Sequence, residues 1–124
     1  MKIECRSFVF KNGADACADF VFDVRCLPNP FYIEKLKHKT GMDKPVRDYV
    51  LNFSQSQAYL EKILDMLLLA ITLKEQNDDE KITVSFGCPG GHHRSVTFAI
   101  ALCEALKARG YDAYCTHRDI NIKD

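Results

Sequence analysis

Neither sign of charge is in excess. The 17 basic residues meet 17 acidic ones, so the whole-chain balance gives no general attraction to nucleic acid. No apolar run reaches membrane length either. The longest, "ILDMLLLAITL" (Ile63 to Leu73), contains Asp65 and is about half a span, which predicts a buried helix. The opening "MKIECRSFVF" alternates and has no continuous apolar core, so no secretory leader is expected and the chain is expected in the cytoplasm. The six cysteines, Cys5, Cys17, Cys26, Cys88, Cys103 and Cys115, contain no CxxC and no zinc-finger spacing. They are expected to be reduced, with Cys5, Cys103 and Cys115 serving as small core residues. Repeats, low-complexity tracts and internal linkers are also missing. A chain of 124 residues is long enough for one core, so a single domain over residues 1–124 is expected, with no metal and no cofactor.

What is present is 47% hydrophobic, a globular composition. Lys2 to Phe10 alternates as a strand, and "FVFDV" (Phe20 to Val24) is a short apolar strand. The prolines of "LPNP" (Leu27 to Pro30) break the chain, and a short helix is expected from Tyr32 to Lys37. After the loop "TGMDKP", Pro45 suits the first turn of a helix with Asp43 as its cap. A long helix follows from Ser54 to about Lys74, then a polar loop "EQNDDE" and a strand from Lys81 to Gly87. The last helix, about Arg94 to Ala108, carries Val96, Ala99, Ile100, Cys103 and Leu106 on one stripe; Gly110 ends it, and "YDAYCTH" is the last strand. Strand, loop, helix and strand make a βαβ unit with parallel pairing. The expected fold is α/β, a small and mostly parallel sheet of about four strands flanked by helices.

"GCPGGHHRSV" (Gly87 to Val96) lies where such folds collect ligands, beyond the carboxyl end of a strand and before a helix. A glycine-rich turn entering a helix presents free backbone N–H groups and the positive end of the helix dipole. Gly90 and Gly91 allow those groups to converge, Arg94 adds a two-pronged donor, and Ser95 adds a hydroxyl, all suited to an anion. Cys88 through Arg94 to Ser95 also reads C-x5-R-S, resembling the phosphate loop of cysteine-dependent phosphatases, with Cys88 as nucleophile. Gly87 stands where many of those enzymes carry histidine. Asp23 and Asp119 are the candidates for the general acid such an enzyme requires. Metal binding by His92, His93 and Cys88 is disfavoured, because adjacent histidines rarely point the same way.

"VFDVRCLPNPFY", "TGMDKPVRDYV", "FGCPGGHHRSV" and "HRDI" occur in that order from about Cys5 to Ile120. Together they closely resemble the C-terminal domain of the bacterial RapZ (RNase adapter, YvcJ-like) family. The resemblance implies part of a phosphofructokinase-type sugar-phosphate-binding fold. It also implies a domain that senses glucosamine-6-phosphate and binds small regulatory RNA. Longer members add a P-loop nucleotide-binding domain; these 124 residues hold no GxxxxGK[ST], so that activity is not expected of them, and a separately encoded nucleotide-binding protein is an expected partner. By motif, the ligand residues map to Asp23, Arg25, Cys88, Pro89, Gly90, Gly91, His93, Arg94, Ser95, His117 and Arg118. Pro89 stands where threonine is usual, removing a hydroxyl and a backbone N–H, and the end "NIKD" is not basic as in RNA-binding members.

A separate cluster, Lys35, Lys37, His38 and Lys39, gives "EKLKHK" a local positive face and makes it the RNA candidate. The expected function is sensing of a phosphorylated metabolite by a regulatory, RNA-binding adapter domain, with a cysteine-dependent phosphatase as the alternative. No membrane partner is expected, and a homodimer is among the expected assemblies.

Overall fold

A computed structural model describes residues 1–89 and 92–120. Four strands form one all-parallel sheet: β1 (Lys2–Val9), β2 (Phe20–Asp23), β3 (Lys81–Cys88) and β4 (Asp112–His117), in the spatial order β2-β3-β1-β4. The helices are α1 (Lys44–Leu51), α2 (Ser54–Gln76) and α3 (Arg94–Ala108). The parallel βαβ expectation holds with one correction. β4 does not lie beside β3, because β1 is inserted between them and α3 crosses over it.

Register sorts the side chains onto two faces. Ile3, Cys5, Ser7 and Val9 pair with Ile82, Val84, Phe86 and Cys88 of β3, and Ile3, Cys5 and Ser7 pair with Ala113, Cys115 and His117 of β4. This is the apolar face on which α3 packs, with Phe86 edge-on to Phe98 at 5.9 Å and stacked on Phe22 at 5.8 Å. Buried residues of α1 and α2 (Val46, Val50, Ile63, Leu67 and Ile71) continue the same core. The opposite face carries Glu4, Arg6, Thr83, Ser85 and Thr116, and the segment after β1 closes over it. Asp15 takes bonds from Arg6 Nη1 (3.2 and 3.1 Å) and from Ser85 Oγ (2.5 Å), and Asp19 accepts from Thr83 N. β1 is therefore buried on both sides, although its sequence alternates like that of a half-exposed strand.

Three boundaries differ from the sequence reading. β1 stops at Val9, and Phe10–Asn12 turn as a 3-10 helix. The expected helix from Tyr32 to Lys37 is a 3-10 turn at Pro30–Tyr32 followed by further turns through Lys39. Asp43 sits at the cap of α1, but its carboxylate accepts from Thr40 N behind it (3.0 Å) and not from the helix. No helix among the described residues is long and apolar enough to cross a membrane. All six cysteines are free, with Cys5, Cys88 and Cys103 buried, Cys115 half-buried, and Cys17 and Cys26 exposed.

Candidate functional site

Because all four strands are parallel, their carboxyl ends meet at one edge, where such sheets bind ligands. Asp23 ends β2, Cys88 ends β3 and His117 ends β4. The three segments singled out in sequence thus share an edge. Their side chains do not share a face: Asp23 pairs with Gly87 and lies on the polar side, whereas Cys88 and His117 lie on the helix side.

Asp23 and Arg25 form an exposed, two-pronged ion pair, with Arg25 Nη2 2.7 Å and Nε 3.0 Å from Asp23 Oδ2. These bonds hold the Asp23 carboxyl below its ordinary range, helped by the nearby Arg94 charge. The Arg25 guanidinium lies 4.3 Å from the Phe10 ring centre, and Tyr59 Oη, reaching from α2, donates to Asp23 O (2.7 Å). A solvated pair of this kind is weak, so a ligand cation can exchange for Arg25 at little cost.

Arg94 differs from its expected role as a free fork. It is buried, and Nη1 donates to the carbonyls of Arg25 (2.7 Å) and Leu27 (3.0 Å). Its position in the first turn of α3 lets it tie that helix to the segment after β2. Ser95 is also buried, its hydroxyl sharing a 3.0 Å hydrogen bond with the Cys88 thiol. Burial raises the Cys88 pKa and outweighs the opposing effects of Ser95 and Arg94, so the thiol stays protonated at neutral pH. A Cβ on Gly87 would come within 2.5 Å of the Phe8 and Phe10 rings, so a histidine there requires those rings to shift. Gly90 and Gly91 lie outside the described residues, and Pro89 is exposed with its carbonyl accepting from Lys11 N (3.1 Å).

His93 does not face the open edge. Its ring is buried beside the carbonyls of Lys39, Leu36 and Lys37, Nε2 has no hydrogen-bond partner among the described residues, and burial lowers its pKa. His117 shares a 2.7 Å hydrogen bond through Nδ1 with Ser7 Oγ, and its Nε2 lies 3.7 Å from Cys115 Sγ. Burial, with the nearby His92 charge, lowers its pKa and favours the neutral ring. Arg118 holds the segment after β1 in place: Nη2 donates to Gly13 O (2.6 Å) and Nη1 to Ala14 O (3.3 Å), and it pairs with Asp119. Asp119 is buried and accepts from Val9 N (2.7 Å), a position unsuited to a mobile general acid. The RNA candidates Lys35, His38 and Lys39 are exposed, and Lys37 lies 4.9 Å from the Phe31 ring centre. Sequence reasoning missed Ser7, Phe10 and Tyr59, which read only as strand and helix positions.

The fold and this edge define a parallel α/β domain whose strand ends meet beside the N-terminus of α3. The chain belongs to the RapZ C-terminal domain family, whose family model matches residues 1–121. It is 47% identical over 120 residues to a nucleotide-binding protein of Caldicellulosiruptor saccharolyticus, covering 97% of this chain and 41% of that protein. It is 49% identical over 116 residues to one from Alkaliphilus oremlandii (94% and 40% covered) and 44% identical over 123 residues to one from Clostridioides difficile (99% and 43%). The chain thus spans about two fifths of the length of these curated relatives.

Proposed function

We propose that this domain binds a phosphorylated metabolite, an amino-sugar phosphate such as glucosamine-6-phosphate, and acts as a regulatory adapter that contacts RNA through the basic turn. One observation carries the reading: the ends of β2, β3 and β4 converge beside the N-terminus of α3. In this reading the loop before α3 holds the phosphate, aided by the helix dipole and the Arg94 charge. Asp23 exchanges its exposed Arg25 partner for the sugar ammonium, and His117, oriented by Ser7, meets a hydroxyl. The relatives are named for nucleotide binding, and the two fifths of their length that this chain spans carries no GxxxxGK[ST] here.

A thermal-shift panel of hexose phosphates, free hexosamines and inorganic phosphate tests the reading. A ligand at 100 times its Kd adds about 2.7 kcal/mol of apparent stability. Glucosamine-6-phosphate should stabilise more than glucose-6-phosphate, and Asp23→Asn should shrink that difference. If no phosphorylated ligand shifts the transition, the reading fails. The phosphatase alternative is not favoured, because Cys88 is buried, its pKa is raised by that burial, and a side chain at Gly87 would displace the Phe8 and Phe10 rings.

A further inference from the structure

The helix-side face of the sheet holds a cluster of thiols that the edge site does not use. Cys5 of β1 and Cys115 of β4 are register partners, so their side chains stand side by side under α3. Cys103, buried on the underside of α3, makes side-chain hydrogen bonds with both. A buried cysteine is ordinarily a small core residue, and Cys5 and Cys103, 0 and 3% exposed, fit that description. Cys115 does not. It lies on an outer strand, is only half-buried, and its Sγ is 3.7 Å from Nε2 of His117, two residues on along the same face. Ser7 Oγ, 2.7 Å from the other ring nitrogen, holds that imidazole in place. When Nδ1 carries the ring proton and donates to Ser7, Nε2 is left with a lone pair facing the thiol. Thiol, base and orienting hydroxyl are the parts of an activated nucleophile.

We propose that Cys115 is a site of reversible oxidation by hydroperoxide, with His117 as its base and Cys103 as the thiol that closes a disulfide. The Cys115 sulfur attacks one oxygen of the peroxide. An S–O bond forms, the O–O bond breaks, and the thiol proton passes through His117 to the departing hydroxide, which leaves as water. The Cys103 sulfur then attacks the sulfenic sulfur. The S–S bond forms, the S–O bond breaks, and the Cys103 proton leaves with the hydroxyl as a second water. Two thiols together lose two electrons, and one peroxide is reduced to two waters. Burial pushes the Cys115 thiol up to about 12 and Cys103 adds to that, whereas the nearby Lys107 charge opposes it. The thiolate is therefore scarce in the resting fold, and reaction depends on proton transfer to His117. The disulfide joins α3 to β4 and withdraws the Cys115 thiol from the imidazole.

Hydrogen peroxide treatment of the folded protein, followed by non-reducing peptide mapping with mass spectrometry, tests this. The exposed Cys17 and Cys26 serve as internal references for thiol reactivity. The expected product is a Cys103–Cys115 link that a thiol reductant reverses. Cys103→Ser should stop at sulfenic acid on Cys115, trapped by a cyclic diketone, and Cys115→Ser should give neither product. His117→Gln should slow Cys115 oxidation by roughly tenfold or more, with Cys17 oxidised at its usual rate and an unchanged circular dichroism spectrum. If Cys115 stays reduced while Cys17 and Cys26 are oxidised, the proposal fails. Equal rates with and without His117 also overturn it. So does a Cys5–Cys115 link in place of Cys103–Cys115, or oxidation of Cys115 that begins only in urea.

Discussion

Glu4 is a buried carboxylate on the polar face of the sheet. Burial alone would raise its pKa, but bonds from Thr116 Oγ1 (2.6 Å), Lys81 Nζ (3.0 Å) and Arg6 (2.9 Å) overcome that effect and hold it near 2. Its folded-state pKa is thus below the unfolded value. The stability it contributes is complete above about pH 5 and is lost as pH falls toward 2. Acid unfolding followed by circular dichroism should show a mid-acid loss of stability that Glu4→Gln removes. Arg6→Met leaves Glu4 and Asp15 without their shared cation and should cost about 3 kcal/mol in urea unfolding at pH 7. At Cys88 the expected outcome is an absence: no release of phosphate from an aryl phosphate above the protein-free rate, in wild type or Cys88→Ser. Turnover that disappears in Cys88→Ser would restore the phosphatase. Arg94→Ala should now do two things, weakening phosphate binding and freeing the segment at Arg25–Leu27, at a cost of about 2 kcal/mol.

Among the elements, the connection before α1 is locked against α3 by a missing side chain. Gly41 N donates to His92 O (2.7 Å), and a Cβ on Gly41 would lie 2.6 Å from Thr97 N and 2.7 Å from His93 O. These are backbone atoms of the first helical turn and cannot swing aside. Gly41→Ala should therefore lower Tm by several degrees and disturb the entry to α3, readable as reduced phosphate-dependent stabilisation. The same packing sets the turn carrying Lys35, Lys37, His38 and Lys39 against His93. If that turn contacts RNA, gel retardation should fall steeply as salt rises, and Lys35→Ala with Lys39→Ala should reduce both affinity and the salt slope. Binding that ignores salt and survives those substitutions would rule the turn out.

For the whole molecule, one topological fact stands out: all four strands of the described residues run the same way, so the carboxyl ends that carry Asp23, Cys88 and His117 gather at one edge. Asp23→Asn should shrink the margin by which glucosamine-6-phosphate stabilises the domain over glucose-6-phosphate in thermal unfolding, with an unchanged circular dichroism spectrum, because the Asp23 side chain is exposed.

The sequence by itself determined the class of fold, the order of strands and helices, and the family, because periodicity of two and 3.6 residues and the four spaced motifs are local properties of the chain. It located α2, α3 and β3 to within a residue or two, and it picked out Asp23, Cys88 and His117, which end parallel strands of one sheet at the same edge. It did not determine that β1 lies between β3 and β4, since pairing partners depend on long-range packing. The roles of the arginines were also hidden. Arg94 read as a donor for an anion and Arg118 as a ligand residue by motif, yet both donate to backbone carbonyls of segments distant in sequence. A guanidinium bonds whatever acceptors the fold brings near, and only the tertiary structure sets those acceptors. His93 turns inward for the same reason: the turn at Leu36–Lys39 packs over it, and nothing within "GGHHRS" encodes that contact.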